Sequence, residues 1–260
     1  MNVTLNSWQL LGVILASALF WLQYVRVKDR RKPEPRRCLI IAFILGIVAG
    51  IISILGFNLL DALGVPDIKF GEKPWTAFYC FMIVGPLEEG MKALVAYQVV
   101  FRWREFDEPI DGFVYAAAIA LGFASTENFS NLPDFPWLEQ LARTAALPIT
   151  HTLMSAIWGF GAGYARFCVP PGRRRRLWQF GSLALGMAVH GLYDFLIFAY
   201  QATFISSGLA LVLWGVVIWW AHAALKHPLV ATTIPTQLNP SDGGSAEEGG
   251  KYSIGNGTDR

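Results

Sequence analysis

Charge is what this sequence has least of. Of its 260 residues, 15% are Asp, Glu, Lys or Arg, where an ordinary soluble domain carries about 25%. Hydrophobic residues make up 54%, and the mean hydropathy is +0.41. That balance excludes an ordinary soluble enzyme. The net charge of +2 is too small to argue for a nucleic-acid partner. Cysteine is scarce as well: Cys38, Cys80 and Cys168 form no CxxC pair and lie in or beside apolar runs. Neither a disulfide framework nor a structural zinc knuckle is indicated. There is no H-E-x-x-H segment, and no repeat of fixed period. The first apolar run has no Lys or Arg before it and no small-residue cleavage pattern, so it reads as a retained signal anchor.

What the sequence has instead is long apolar runs, each of about 20 residues or more and able to cross a hydrocarbon core as a helix. The expected fold is all-α: a polytopic membrane helix bundle of about seven spans, roughly 8–25, 38–62, 75–101, 111–131, 140–166, 177–200 and 205–225. Cations concentrate in alternate loops: Arg26 to Arg37, then Arg102 and Arg104, then Arg166 and Arg173 to Arg176. Cytoplasmic loops carry the excess Lys and Arg, so the N-terminus is expected outside and the C-terminus inside. An odd number of spans likewise puts the two ends on opposite sides. Residues 1–226 are expected to form the integral membrane domain, with a core at 75–200. After Lys226 the composition turns to Pro, Gly, Ser, Thr and acidic residues, and 227–260 read as a disordered cytoplasmic tail.

The informative residues are those a bilayer disfavours. A charge at the centre of a membrane helix costs several kcal/mol and is by default a functional hypothesis with a partner to be found. The third run contains GPLEEGMK, with Glu88 and Lys92 four apart in the order that favours a helical ion pair. Glu89 points about 100° away from that pair. Gly85, Pro86 and Gly90 flank the carboxylates and suggest a kink. The fourth run, DGFVYAAAIALGFASTENFSN, allows close helix approach through its Ala and Gly. Its Glu127 and Asn128 suit either an interfacial or a site role, and Asp111 suits a helix N-terminus. The fifth run holds His151 with Ser155 one turn on, and the sixth holds His190 and Asp194 at i, i+4. A carboxylate so placed can fix the tautomer of the ring. At about 1.5 Å of rise per residue, Glu88, His151, His190 and Asp194 fall roughly 10–20 Å from the outer ends of their spans. They can meet in one layer.

Such a set serves a proton path, a metal site or a hydrolytic centre. For peptide hydrolysis, Glu88 could take the proton of a water held by His151, while His190, oriented by Asp194, donates to the developing oxyanion. Alternatively Glu88, His151 and His190 could bind Zn²⁺, with ligands drawn from separate helices.

Four segments, EEGMK at 88–92, DGFVYAAAIALGFASTEN at 111–128, HTLMSAIWG at 151–159 and HGLYD at 190–194, stand in an order that resembles the PrsW-type intramembrane proteases. That family shares a superfamily with the type II CAAX prenyl proteases and the APH-1 subunit of γ-secretase. The resemblance implies an intramembrane endopeptidase of a prokaryotic plasma membrane, acting on a single-span, anti-sigma-factor-like substrate at a first (site-1) cleavage. Carried over by position, it makes Glu88, Glu89, His151 and His190 catalytic, with Lys92, Glu127, Asn128 and Asp194 in support. Ala116 stands where the second motif often has Gly. The expected cofactor is at most Zn²⁺, and the expected partners are the substrate and the lipid bilayer. A proton-coupled transporter is the alternative from another class, although transporters usually show internal repeats. A non-catalytic scaffold like APH-1 is a third. The oligomeric state stays open, since the GxxxG pairs Gly46/Gly50 and Gly159/Gly163 suit packing within the chain or between chains.

Overall fold

The computed structural model describes residues 5–28, 32–68, 72–133 and 136–200, with four single helical positions beyond them at Gly208, Val212, Gly215 and Trp219. The expected seventh span at 205–225, apart from those positions, and the expected tail at 227–260 lie outside the described residues. The described chain is all-α. Its helices are α1 (Ser7–Lys28), α2 (Arg36–Ala62), α3 (Lys73–Tyr79), α4 (Gly85–Gln98), α5 (Asp111–Asn131), α6 (Trp137–Cys168) and α7 (Arg173–Tyr200). Helix α3 runs into α4 through a π-helical turn, Cys80–Val84. The expected third span is therefore a composite, with its irregular turn just before Gly85 and Pro86.

Among the described residues, three segments are long and apolar enough to cross a membrane: Ser7–Arg26 in α1, Arg36–Ala62 in α2 and Arg173–Tyr200 in α7. Helices α4, α5 and α6 are less uniformly apolar because they carry the interior of the bundle. Every residue of α5 from Val114 to Ser125 is buried, and the helix packs against α6, α2 and α1. A helix surrounded by protein can spend its surface on Ala and Gly, which let neighbouring backbones approach closely. A Cβ at Gly122 would overlap the Phe43 carbonyl of α2, and one at Gly46 would overlap the Ile119 carbonyl of α5. Gly50 faces Thr126, and Gly159 and Gly163 face Gly112 and Pro109. Both GxxxG pairs are thus used within the chain.

Helix α6 continues through Pro148, which has no N–H to give to the carbonyl of Thr144 one turn back. The Ser17 hydroxyl of α1 donates to that carbonyl instead, at 2.9 Å. At the end bearing the basic loops, Asp111 Oδ2 accepts the backbone N–H groups of Asp107 (2.8 Å) and Glu108 (2.6 Å), and Tyr115 donates to the buried Glu34. Arg37 pairs with Glu105 at 3.0 Å, and Lys32 with Asp107. The hydrogen bond to Asp107 raises the Lys32 ammonium above its ordinary pKa, and the Glu105 carboxyl is lowered by its own backbone N–H and by Arg37.

Candidate active site

Helices α4, α5, α6 and α7 bring the intramembrane charges together. The approach of α4 to α7 depends on two glycines. A Cβ at Gly85 would overlap the Met187 carbonyl, and one at Gly191 would lie 2.7 Å from the Cys80 carbonyl at the π turn. This contact sets Glu88 and Glu89 against His190, the residue before Gly191.

Glu89 is fully buried and fully partnered. Its Oε1 accepts from Lys92 Nζ at 2.7 Å and from His190 Nδ1 at 2.9 Å. Its Oε2 accepts from Ser155 Oγ at 2.9 Å and from Trp158 Nε1 at 2.7 Å. An ionised carboxylate has acceptor sites only, and here four donors fill them. Lys92, also fully buried, donates a second time, to His151 Nδ1 at 2.8 Å, and lies 4.1 Å from the centre of the Phe123 ring. An ammonium has no acceptor, so Nδ1 accepts and the proton of a neutral His151 sits on Nε2. That nitrogen is 2.8 Å from Glu127 Oε2, at ion-pair distance but without hydrogen-bond alignment.

Glu88 differs from its neighbour. Its Oε2 is buried and has no hydrogen-bond partner among the described residues. Three nitrogens surround that oxygen: His190 Nε2 at 3.6 Å, Lys92 Nζ at 3.9 Å and His151 Nδ1 at 4.0 Å. Asp194 Oδ2 is 3.4 Å from the same His190 nitrogen.

Two details differ from the expectation. Lys92 binds Glu89, three residues before it, more closely than Glu88, four before it, because Glu89 lies at the convergence of the α6 and α7 donors. The near partner of His190 is Glu89 on Nδ1, with Asp194 farther off on Nε2. Of the expected set, Glu88, Glu127, His151, His190 and Asp194 line one cavity of about 880 Å³. Glu89 and Lys92 lie behind it. Asn128 does not line it: the residue is buried on another face of α5, and neither amide atom has a hydrogen-bond partner among the described residues. Trp158 belongs to the site although the sequence does not single it out. Its signals are its place within the HTLMSAIWG segment and, seven residues after His151, on the same helix face.

The cavity extends past Tyr193 and Arg143 to Asp61, Asp67 and Glu139, and so opens at the end opposite the basic loops. Glu88, His151 and His190 each offer one ligand atom, all within 4.8 Å of one another. A tetrahedral ion with bonds of 2.0–2.2 Å holds its ligand atoms about 3.3 Å apart. The His/His/Glu donors and the unpartnered Glu88 oxygen therefore fit a Zn²⁺-like ion once the side chains close in and His151 exchanges its bond from Lys92 for the ion.

The family model for the PrsW family intramembrane metalloprotease matches residues 34–222. This chain belongs to that family. Among curated relatives named Protease PrsW, the one from Geobacillus kaustophilus (strain HTA426) is 32% identical over 82% of this chain and 89% of its own length. That from Bacillus subtilis (strain 168) is 31% identical over 79% and 88%, and that from Clostridioides difficile (strain 630) 29% over 72% and 78%. No solved structure matches. The PrsW-family chain is thus a peptidase and an integral membrane protein of a prokaryotic plasma membrane, with a buried His/His/Glu cluster able to coordinate a metal.

Proposed function

We propose that this PrsW-family protein is an endopeptidase that hydrolyses a peptide bond of a single-span, membrane-anchored protein, of the anti-sigma-factor type, at a site-1 position in or just beyond the outer half of the bilayer. The bundle then has seven spans, with the N-terminus outside and the C-terminus inside. Two observations support this direction: the cavity opens away from the basic loops, and those loops mark the cytoplasmic side.

The observation that carries the reading is the contrast between the two glutamates. Glu89 is satisfied by four donors, whereas Glu88 Oε2 faces the cavity without a partner. A buried polar atom left unpaired costs about 1–3 kcal/mol, so its place in the cavity implies a reacting or coordinated species opposite it. Glu88, His151 and His190 would hold a divalent ion, and such an ion supplies Lewis acidity and makes a water acidic near neutral pH.

The protein's own groups then divide the work. Glu88 serves in one of two ways: as a ligand of that ion or, with no ion bound, as the base that takes the proton of the attacking water and passes it to the leaving amine. Glu89, held by Ser155 and Trp158, orients His190 through Nδ1 and keeps Nε2 toward the cavity. Without an ion, Lys92 fixes His151 through Nδ1, and Glu127 stands at the other ring nitrogen. Asp194 steadies His190 at the mouth side. Tyr193 and Arg143 line the cavity farther out, where they would face the substrate chain.

The test is cleavage of a single-span probe peptide by the purified protein in liposomes, with and without a chelator. Glu88→Gln is expected to stay folded and lose cleavage. Full activity in that variant, or an uncut probe with metal-loaded wild type, overturns the reading.

A further inference from the structure

A second, smaller chamber of about 240 Å³ lies between α2 and α5. It exists because of how those helices pack. Their backbones touch where Gly46 meets Ile119 and Gly122 meets Phe43, and Gly50 still presses on Thr126. Beyond that point the helices part, and Ser53, Ile54 and Phe57 of α2 face Phe123 and Glu127 of α5 across open space. The chamber touches the large cavity at the working end of the site: Glu88, Glu127, Phe57, Asn58 and Asn131 line both.

Its floor carries an unexplained group. Ser53 is 1% exposed, and its hydroxyl has no hydrogen-bond partner among the described residues. A serine on a membrane helix ordinarily returns its hydroxyl to the carbonyl one turn back, as Thr126 does to Gly122 here. Ser53 does not, and it lines the chamber. Asn58, Ser130 and Asn131 add polar groups at the rim.

We propose that this chamber is a substrate subsite, which holds the extended chain on one side of the scissile bond while the large cavity holds the other, and that Ser53 hydrogen-bonds that chain's backbone. The proposal rests on the peptidase reading above. A peptide bond under hydrolysis has chain on both sides, and Glu88 and Glu127 stand between two spaces. The walls of the smaller space belong to α2 and α5 within two turns of their contact at Gly50 and Thr126, where two helices have not parted enough to admit a third element about 10–12 Å across with its side chains. Its occupant is therefore unwound, and an unwound backbone in a membrane needs partners for the N–H and C=O groups it has freed. A buried hydroxyl with a polar rim supplies them. The pocket also restricts which residues can sit beside the scissile bond: the walls Ile54, Phe57 and Phe123, with Gly50 behind, favour small or medium uncharged side chains.

The experiment uses the full chain in liposomes and a single-span probe peptide with an extended outer segment. In the Glu88→Gln background, a photo-cross-linking residue is placed at Ile54, which lines only the chamber, or at Ile197, which lines only the large cavity. Cross-links to the probe from both positions are expected; cross-links from position 197 alone overturn the proposal. In the otherwise native enzyme, Ser53→Ala is expected to raise KM for the probe roughly five- to tenfold, from the loss of one hydrogen bond, with thermal stability unchanged. Ser53→Leu, which fills the chamber, is expected to cut kcat/KM about a hundredfold. Unaltered kinetics in both variants, or a Ser53→Ala defect that is entirely a stability loss, refute the subsite. A probe left uncut by the wild-type protein refutes the peptidase reading instead, and the cross-links still report whether the chamber is occupied.

Discussion

Glu89 and Trp158, on α4 and α6 and 69 positions apart in sequence, are joined by a buried hydrogen bond of 2.7 Å from the indole N–H to the carboxylate. Together with Ser155, Lys92 and His190 it makes Glu89 the centre of a polar network in which every donor faces the same group. The neighbouring carboxylate of Glu88 is left out of that network. Adjacent residues of one helix point about 100° apart, so two glutamates written side by side occupy different environments.

The first prediction separates them. Glu88→Gln is expected to lower kcat by about 10²–10⁴-fold, the usual contribution of a general base, with little change in melting temperature because Oε2 has no hydrogen bond to lose. Glu89→Gln breaks a buried ion pair and is expected to destabilise by about 3–5 kcal/mol. Paired activity and thermal-unfolding measurements check both, and equal effects on stability would contradict the division of roles.

Trp158→Phe keeps the ring and removes the donor. It is expected to cost about 1–3 kcal/mol by leaving Glu89 Oε2 with Ser155 alone. In a cycle with Ser155→Ala the two losses are expected to be non-additive, because both act on one oxygen. Additive losses in denaturant unfolding would place the two residues in separate networks.

Metal loading gives a readout that needs no substrate. At a free Zn²⁺ concentration of about 100 times Kd, binding to the folded state alone stabilises by about 2.7 kcal/mol. Wild type is expected to show that gain by calorimetry after chelation and reloading, and His190→Ala to lose most of it. An equal gain in the variant would move the metal away from Glu88, His151 and His190.

The contact between α1 and α6 is testable through stability. Ser17→Ala leaves the Thr144 carbonyl without its donor and is expected to cost about 1 kcal/mol. Pro148→Ala restores an N–H to that carbonyl, so Ser17→Ala is expected to cost markedly less in a Pro148→Ala background. An unchanged cost in that background would show that Ser17 acts through packing.

The sequence by itself determined the class of this protein and pointed to most of the ionisable residues that line its cavity. Low charge and long apolar runs require a membrane bundle, because few other environments accept such surfaces. Glu88, His151, His190, Glu127 and Asp194 were legible one by one, because each stands against the cost of polar groups in a bilayer. Family membership was legible too, in four motifs in order. What only the tertiary structure decided is who meets whom. Periodicity along α4 gives Lys92 a partner four residues back, yet its nearest carboxylate is Glu89, because donors arriving from α6 and α7 converge there. Asn128, written next to Glu127, faces away from the cavity for the same geometric reason. Trp158 and Ser53 carry no charge and so left no mark in the charge pattern; their surroundings come from a carboxylate on another helix and from the point where α2 and α5 part. Contacts between helices depend on rotation and close approach at particular glycines, and a linear pattern of residues does not encode either.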